Sequence, residues 1–160
     1  MDNAIIIQNA RDMMAARQYT VDEVGGDFIK AYKQSTQRKV YLYIVHGKLN
    51  KKMLQVYYEI HQLYGVNHII LVHDNITPAV RNISKLYDLR IELYSFKIFM
   101  LNITQHELQP LSFEKVTIDK VDKYPTMRRN DPIAKYYDFK DGDVIKIVRK
   151  DGSIYFRVVR

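Results

Sequence analysis

The chain opens with apolar residues spaced among polar ones: Ile6, Met13, Met14 and Val21, with Arg11, Asp12 and Arg17 between them. That spacing predicts an N-terminal helix. Thr20, with Glu23 three residues later, has the form of a capping box. It predicts a second helix through Phe28, Ile29 and Tyr32, weakened by Gly25 and Gly26. Val40 to Val45 is β-branched and aromatic throughout, the pattern of a strand buried on both faces. Met53, Leu54, Tyr57, Ile60, Leu63 and Tyr64 then recur at helical spacing, and Gly65 follows where a left-handed helix cap belongs. Ile69 to Val72 predicts a second buried strand. Strand, helix and strand at this spacing form a βαβ unit, so the two strands are expected to be parallel. Thr77 and Pro78 stand as N-cap and first residue of a further helix, with Val80, Ile83 and Tyr87 as its buried stripe. A third strand is expected from Leu89 to Tyr94.

After about residue 100 the pattern changes to shorter segments with tight turns. Leu101 to Ile103, Asp143 to Arg149 and Ser153 to Val159 read as strands, punctuated by the turn dipeptides Asp141-Gly142 and Asp151-Gly152. The last two strands form an expected hairpin. Asp131 and Pro132 predict the cap and first position of a short helix through Ala134 to Tyr137. The fold class is therefore α/β. A βαβ-type domain over residues 1–100 is followed by a small mixed α/β domain over residues 101–160.

Composition adds constraints. The 160 residues are 47% hydrophobic, enough for a core, and carry a formal net charge of +7. That balance favours a polyanionic neighbour, DNA or RNA, or an acidic protein surface. With no cysteine there is neither a disulfide framework nor a thiolate metal site. Met1-Asp2-Asn3 lacks the basic start of a signal peptide, and no apolar run approaches the roughly 20 residues that span a bilayer, so a soluble protein without membrane contact is expected.

Candidate chemistry is sparse. The six glycines form no phosphate-cradling loop. Of the five histidines, none are paired at the helical i, i+4 spacing of a zinc site; His68 and His73 flank one strand and should point to opposite faces. A nuclease would need converging acids. Asp74 follows a buried strand and Glu92 lies on the next, with Tyr94 where a lysine would be expected. Two features remain. Thr77-Pro78 starts a helix with Arg81 one turn in, which could hold a backbone phosphate or simply cap the helix. Arg128, Arg129, Lys135, Tyr136, Tyr137, Lys146 and Arg149 could bind RNA by stacking and charge, or form a polar protein interface.

Three segments carry a resemblance. Asn102-Ile103-Thr104-Gln105-His106-Glu107-Leu108-Gln109-Pro110 resembles an N-I-T-x-H-x-L-x-P signature. Asp131-Pro132-Ile133-Ala134-Lys135-Tyr136-Tyr137 resembles D-P-x-A-[RK]-Y-[FY], and Gly142 to Arg149 resembles G-x-V-[IV]-K-I-x-R. In this order and spacing they resemble the fifth subunit common to eukaryotic nuclear RNA polymerases and its archaeal equivalent. Arg17-Gln18-Tyr19-Thr20-Val21 and Thr77-Pro78-Ala79 extend the resemblance into the first domain.

The resemblance implies a non-catalytic polymerase subunit that needs no cofactor or metal. It implies an N-terminal jaw beside downstream duplex DNA, with Thr77, Pro78 and Arg81 toward it. It implies a C-terminal assembly domain docking on the largest subunit, beside neighbouring small subunits. The residues expected at that interface are Asn102, Thr104, His106, Pro110, Arg129, Asp131, Pro132, Tyr136, Tyr137, Lys146 and Arg149. Departures are a shorter chain, a stretch from His46 to Lys51 compressed as though a strand of the jaw were missing, a short form of the helix expected between Pro110 and Tyr124, and Lys150-Asp151-Gly152 in place of the usual P-S loop. They imply a reduced copy encoded by a large DNA virus, located in the nucleus or cytoplasm, a viral factory or the virion. An independent nucleic-acid-binding adaptor is the alternative.

Overall fold

The computed structural model describes residues 3–85, 87–119 and 121–160, with the side chain of Ile83 outside that set. Met1, Asp2 and the expected packing of Ile83 therefore lie outside the described residues. The chain divides into two compact units, Met1–Leu101 and Asn102–Arg160. Both are mixed α/β, as the hydrophobic pattern predicts.

The first unit runs α1 (Asn3–Ala16), β1 (Thr20–Val24), β2 (Phe28–Lys33), β3 (Arg38–Leu49), α2 (Lys51–Tyr64), β4 (His68–Ile76), α3 (Pro78–Ile83), β5 (Arg90–Ser95) and α4 (Phe96–Met100). Its five strands lie in the order β1-β2-β3-β4-β5. The first three are antiparallel neighbours, and β3, β4 and β5 run parallel. Alternation along the strands divides the core. Val45, Ile69 and Leu71 pack with Leu54 of α2 and Val80 of α3. Val40, Leu42 and Ile70, of opposite parity, are buried on the other face, where α1 reaches β2 and α4 reaches β4 and β5.

One expected helix is absent. Thr20 to Tyr32 forms the β1–β2 hairpin, not a capped helix. Ile29 and Ala31 are buried while Phe28, Lys30 and Tyr32 are partly exposed, a period of two that outweighs the Thr20/Glu23 signature. Glu23 instead meets Lys30 across the hairpin at 2.5 Å. The helix α2 has its left-handed Gly65 cap at φ 63° and an Asn50 side chain accepting from the Met53 N–H at 3.1 Å. Its stripe is only partly interior: Leu54 is buried, whereas Leu63 is 79% exposed. The stretch after His46 continues β3, with a register irregularity between Val45 and Lys48.

The second unit comprises β6 (Ser112–Val116), β7 (Thr126–Met127), α5 (Pro132–Tyr137), β8 (Val144–Val148) and β9 (Ile154–Val159), with short 3-10 turns at Ile103–Gln105 and Val121–Lys123. The sheet order is β6-β8-β9-β7, and β7 pairs with β9 in parallel. Met127, Ala134, Ile145, Ile147 and Val159 form its core, with Phe113 and Phe139 packed against them. The expected β8–β9 hairpin is present, with Gly152 at φ 81° closing its turn. Leu101 to Ile103 is not a strand. The Asn102 side chain accepts from the Thr104 N–H at 3.1 Å and folds the chain into a turn. No helix among the described residues is long and apolar enough to cross a membrane.

Candidate functional site

In the first unit, β4 ends at Ile76 and hands the chain to α3. Val80 is buried against the sheet and anchors that short helix. Thr77 takes the N-cap backbone conformation, and the Val80 N–H donates to its carbonyl at 3.0 Å, but its hydroxyl makes no capping bond. Pro78 and Arg81 are exposed, and Thr77 is half-buried. The C-terminal ends of parallel strands are the customary ligand edge of an open α/β sheet. Thr77, Pro78 and Arg81 lie at that edge.

Glu92, a candidate metal ligand by sequence, has another task. Arg17 approaches it with both terminal guanidinium nitrogens, at 3.2 and 2.9 Å. His68 Nε2 stands 2.9 Å away, Arg90 is at 2.6 Å, and the Tyr94 hydroxyl donates at 2.7 Å. Burial alone would raise the Glu92 carboxyl; the close His68 imidazole and the Arg17 charge outweigh it and hold Glu92 well below its ordinary value. Burial lowers the His68 imidazole, and the Glu92 contact only partly opposes this. This network ties the end of α1 to β4 and β5, and its carboxylate oxygens are occupied. Asp74 is exposed at the far end of β4, and the described residues contain no group of three metal-ligating side chains.

In the second unit, the motif residues are spread over several places. Asn102 and Thr104 bond to each other, Thr104 Oγ1 donating to Asn102 Oδ1 at 2.6 Å, and His106 Nδ1 accepts from the Leu108 N–H at 3.2 Å. They shape a loop beside α5. Asp131 caps α5, its carboxylate accepting from the Ile133 N–H at 2.9 Å, with Pro132 at the first helical position. Tyr136 is only 7% exposed and packs into the interior. Tyr137 packs on Phe139 at 5.3 Å and on Phe113 at 5.7 Å, and burial raises its phenol. Tyr136 is thus largely withdrawn from the surface, and Tyr137 is half-buried in an aromatic stack.

Arg149 and Pro110 share a shallow cleft of about 290 Å³ with Leu108 and Lys150. The Arg149 guanidinium lies over the Tyr155 ring at 4.2 Å, and the Lys150 ammonium donates to the Glu107 carbonyl. Leu108 and Leu111 are 82% and 65% exposed nearby in the chain. Lys146 faces Glu114 at 4.0 Å, and Arg129 pairs with Asp141 at 3.3 Å. A second cleft of about 420 Å³ adjoins through Gln109, with Asp131 on its wall together with Arg128 and Arg157. The sequence pattern did not single out Gln109, Phe113 or Arg157. Arg157 is brought there by the β7–β9 pairing and Phe113 by the pairing of β6 with β8, both non-local.

Comparison with known proteins places this unit. Residues 112–159 match the family model described as RNA polymerase Rpb5, C-terminal domain. Protein 454R of Invertebrate iridescent virus 6, assigned by name to the DNA-directed RNA polymerase subunits, is 31% identical over 110 residues, 57% of this chain and 60% of its own length. Subunit rpabc1 of DNA-directed RNA polymerases I, II and III from Dictyostelium discoideum is 33% identical over 95 residues, 51% of this chain and 48% of its own length. The chain thus spans about half to three-fifths of these two relatives. Protein 092R of Invertebrate iridescent virus 3 is 24% identical over 178 aligned residues, covering 96% of this chain and 99% of its own.

Proposed function

We propose, from the match of residues 112–159 to the RNA polymerase Rpb5 C-terminal domain model, that the chain is a non-catalytic subunit of a multisubunit DNA-dependent RNA polymerase encoded by a large DNA virus. The observation that carries this reading is the family match over a folded unit whose signature residues have structural employment: Asp131 caps α5, Pro132 starts it, and Tyr136 fills the core. Such a unit is a scaffold, and what it leaves exposed is surface for partners. Docking on the largest polymerase subunit uses residues 101–160, with Asn102, Thr104, His106, Pro110, Arg129, Lys146 and Arg149 on or beside the exposed surface. The first unit lies near downstream duplex DNA, with Thr77, Pro78 and Arg81 toward it. Iridovirus relatives support a viral source and hence a nuclear or viral-factory location.

Affinity purification of the tagged full chain from cells expressing the polymerase tests the assignment. The large polymerase subunits are expected to co-purify, and a chain lacking residues 101–160 is expected to lose them. Recovery of the chain on nucleic acid without polymerase subunits would replace this reading with that of an independent nucleic-acid-binding adaptor. Normal assembly of the truncated chain would refute docking through the second unit.

A further inference from the structure

We propose that the 420 Å³ cleft of the second unit seats an acidic segment of a partner protein, one carboxylate held between Arg128 and Arg157 and an adjacent apolar side chain set against Phe113, Met127 and Ile133. This deepens the polymerase-subunit reading and rests on it.

Charge accounting together with position sets the two arginines apart: they are the cations that line this cleft. Four other cations of the unit have their own acids: Lys115 meets Asp143 at 2.6 Å, Lys140 meets Asp138 at 2.6 Å, Arg129 meets Asp141 at 3.3 Å, and Arg160 meets Asp122 at 3.1 Å, while Lys150 donates to the Glu107 carbonyl. Arg149 rests on the Tyr155 ring. Neither Arg128 nor Arg157 forms an ion pair among the described residues, although both line one concavity. Arg157 is already oriented there, donating through Nη1 to the Thr126 carbonyl at 3.1 Å, which leaves its other donors available. Asp131 shares the wall, but its carboxylate accepts from the Ile133 N–H and is drawn to the start of α5. The cleft therefore holds two cations and one acid, and one oxygen of that acid is taken by the start of α5.

The remaining wall decides what kind of anion fits. Phe113, Met127 and Ile133 give an apolar floor directly beside the guanidinium groups. An arginine fork matches a carboxylate in two parallel hydrogen bonds, and arginine beside buried apolar surface is the composition of protein interfaces. A nucleic-acid strand asks for a continuous cationic track and free aromatic faces. Here the one aromatic floor residue, Phe113, is already packed against Tyr137, and Asp131 interrupts the cationic wall. Gln109 lines this cleft and also the neighbouring one formed by Leu108, Pro110 and Arg149. A docked segment can thus run from the arginine seat across to the exposed Leu108 without leaving the surface.

The test uses the full chain assembled with the polymerase. Arg128→Gln with Arg157→Gln is compared with Lys115→Gln with Lys140→Gln, which removes the same net charge from self-paired positions outside the cleft. The cleft pair should lower polymerase recovery on the order of tenfold, while the lysine pair should match the parent. Thermal melting checks folding of each. If the glutamine pair unfolds, Arg128→Lys with Arg157→Lys keeps charge without the fork and should show a smaller loss of the same sign. A photo-crosslinking residue at position 126 should capture a polymerase segment containing Asp or Glu. Reversing that acid to Arg together with Arg157→Glu should restore recovery. Parent-like recovery of the cleft pair, a captured segment without an acid, or crosslinks to nucleic acid would each overturn the cleft assignment. Absence of polymerase from the parent preparation would instead refute the subunit reading itself.

Discussion

At the residue scale, the strongest commitment of the first unit is the network around Glu92. A single carboxylate receives Arg17, His68, Arg90 and Tyr94, so three segments distant in sequence are joined at one point. The network makes stability depend on pH in a calculable direction. Burial lowers the folded-state value of His68 below its ordinary 6.5, so the unfolded chain binds a proton there before the folded chain does. Stability is therefore whole above that value and falls as pH drops below it. Glu92, held well below its ordinary 4.5, adds a further loss in more acid solution, because the unfolded chain again takes up the proton first. On falling pH the histidine contribution is lost first and the Glu92 contribution in more acid solution. His68→Gln, which keeps a donor for Glu92 but cannot titrate, is expected to flatten the stability profile over the first part of that fall. Urea unfolding at about pH 7 and about pH 5 measures it; an equal drop in parent and variant would remove His68 as the cause. None of this was legible in the sequence, where Glu92 is one acid on a strand and Arg17 one base at a helix end. Their meeting depends on the placement of α1 against a sheet that only tertiary packing sets.

At the scale of elements, legibility followed the locality of the signal. The Asp131-Pro132 start of α5 could be read from two adjacent residues, because a cap is an interaction between a side chain and a backbone N–H two residues on. Asp131→Ala removes that bond and should cost about 0.5–2 kcal/mol, the usual range for losing an N-cap. Thermal unfolding of the full chain is the check, and an unchanged transition would show that the bond contributes nothing to stability. The β3–α2–β4 run was equally legible, since strand composition, helical spacing and the Gly65 cap agree. The β1–β2 hairpin was not, because Thr20 and Glu23 mimic a capping box while the deciding alternation from Phe28 to Lys33 spans only six residues. Between Pro110 and Tyr124 the resemblance implies a helix, and the structure has β6 and a 3-10 turn instead: β6 is an edge strand whose Ser112 and Glu114 face solvent, so its apolar content is too thin to announce a strand. The clefts of the second unit were beyond any local reading. Arg128 and Arg157 share a wall because Thr126 pairs with Val158 and Met127 with Val159, a parallel pairing between distant segments that no short-range pattern announces.

At the scale of the whole molecule, the formal charge of +7 must be divided between protein and nucleic-acid partners. The proposed division gives the second unit to polymerase subunits and the edge at α3 to DNA. Arg81 tests that second assignment. It is exposed, one turn inside a helix whose Pro78 start is also exposed, at the C-terminal edge of the parallel strands. A cation so placed can meet a backbone phosphate without reading bases, so it would position a duplex and leave promoter choice unaffected. Arg81→Ala is accordingly expected to weaken retention of downstream DNA about equally on unrelated sequences. Each phosphate held by a cation releases bound counterions, so the salt dependence of complex lifetime should flatten, by a slope of roughly 1 for a single phosphate no longer neutralised. The competing account has the arginine stem lying along neighbouring apolar surface and serving the fold alone. In that case the variant would melt earlier but, once incorporated, would hold DNA with the parental slope. Assembled elongation complexes carrying parent or Arg81→Ala, matched for subunit incorporation and challenged over a range of salt concentrations, separate the two. A shallower slope at equal incorporation identifies a phosphate contact. An unchanged slope and lifetime would take Arg81 away from DNA and leave the cation excess of this protein to its protein partners.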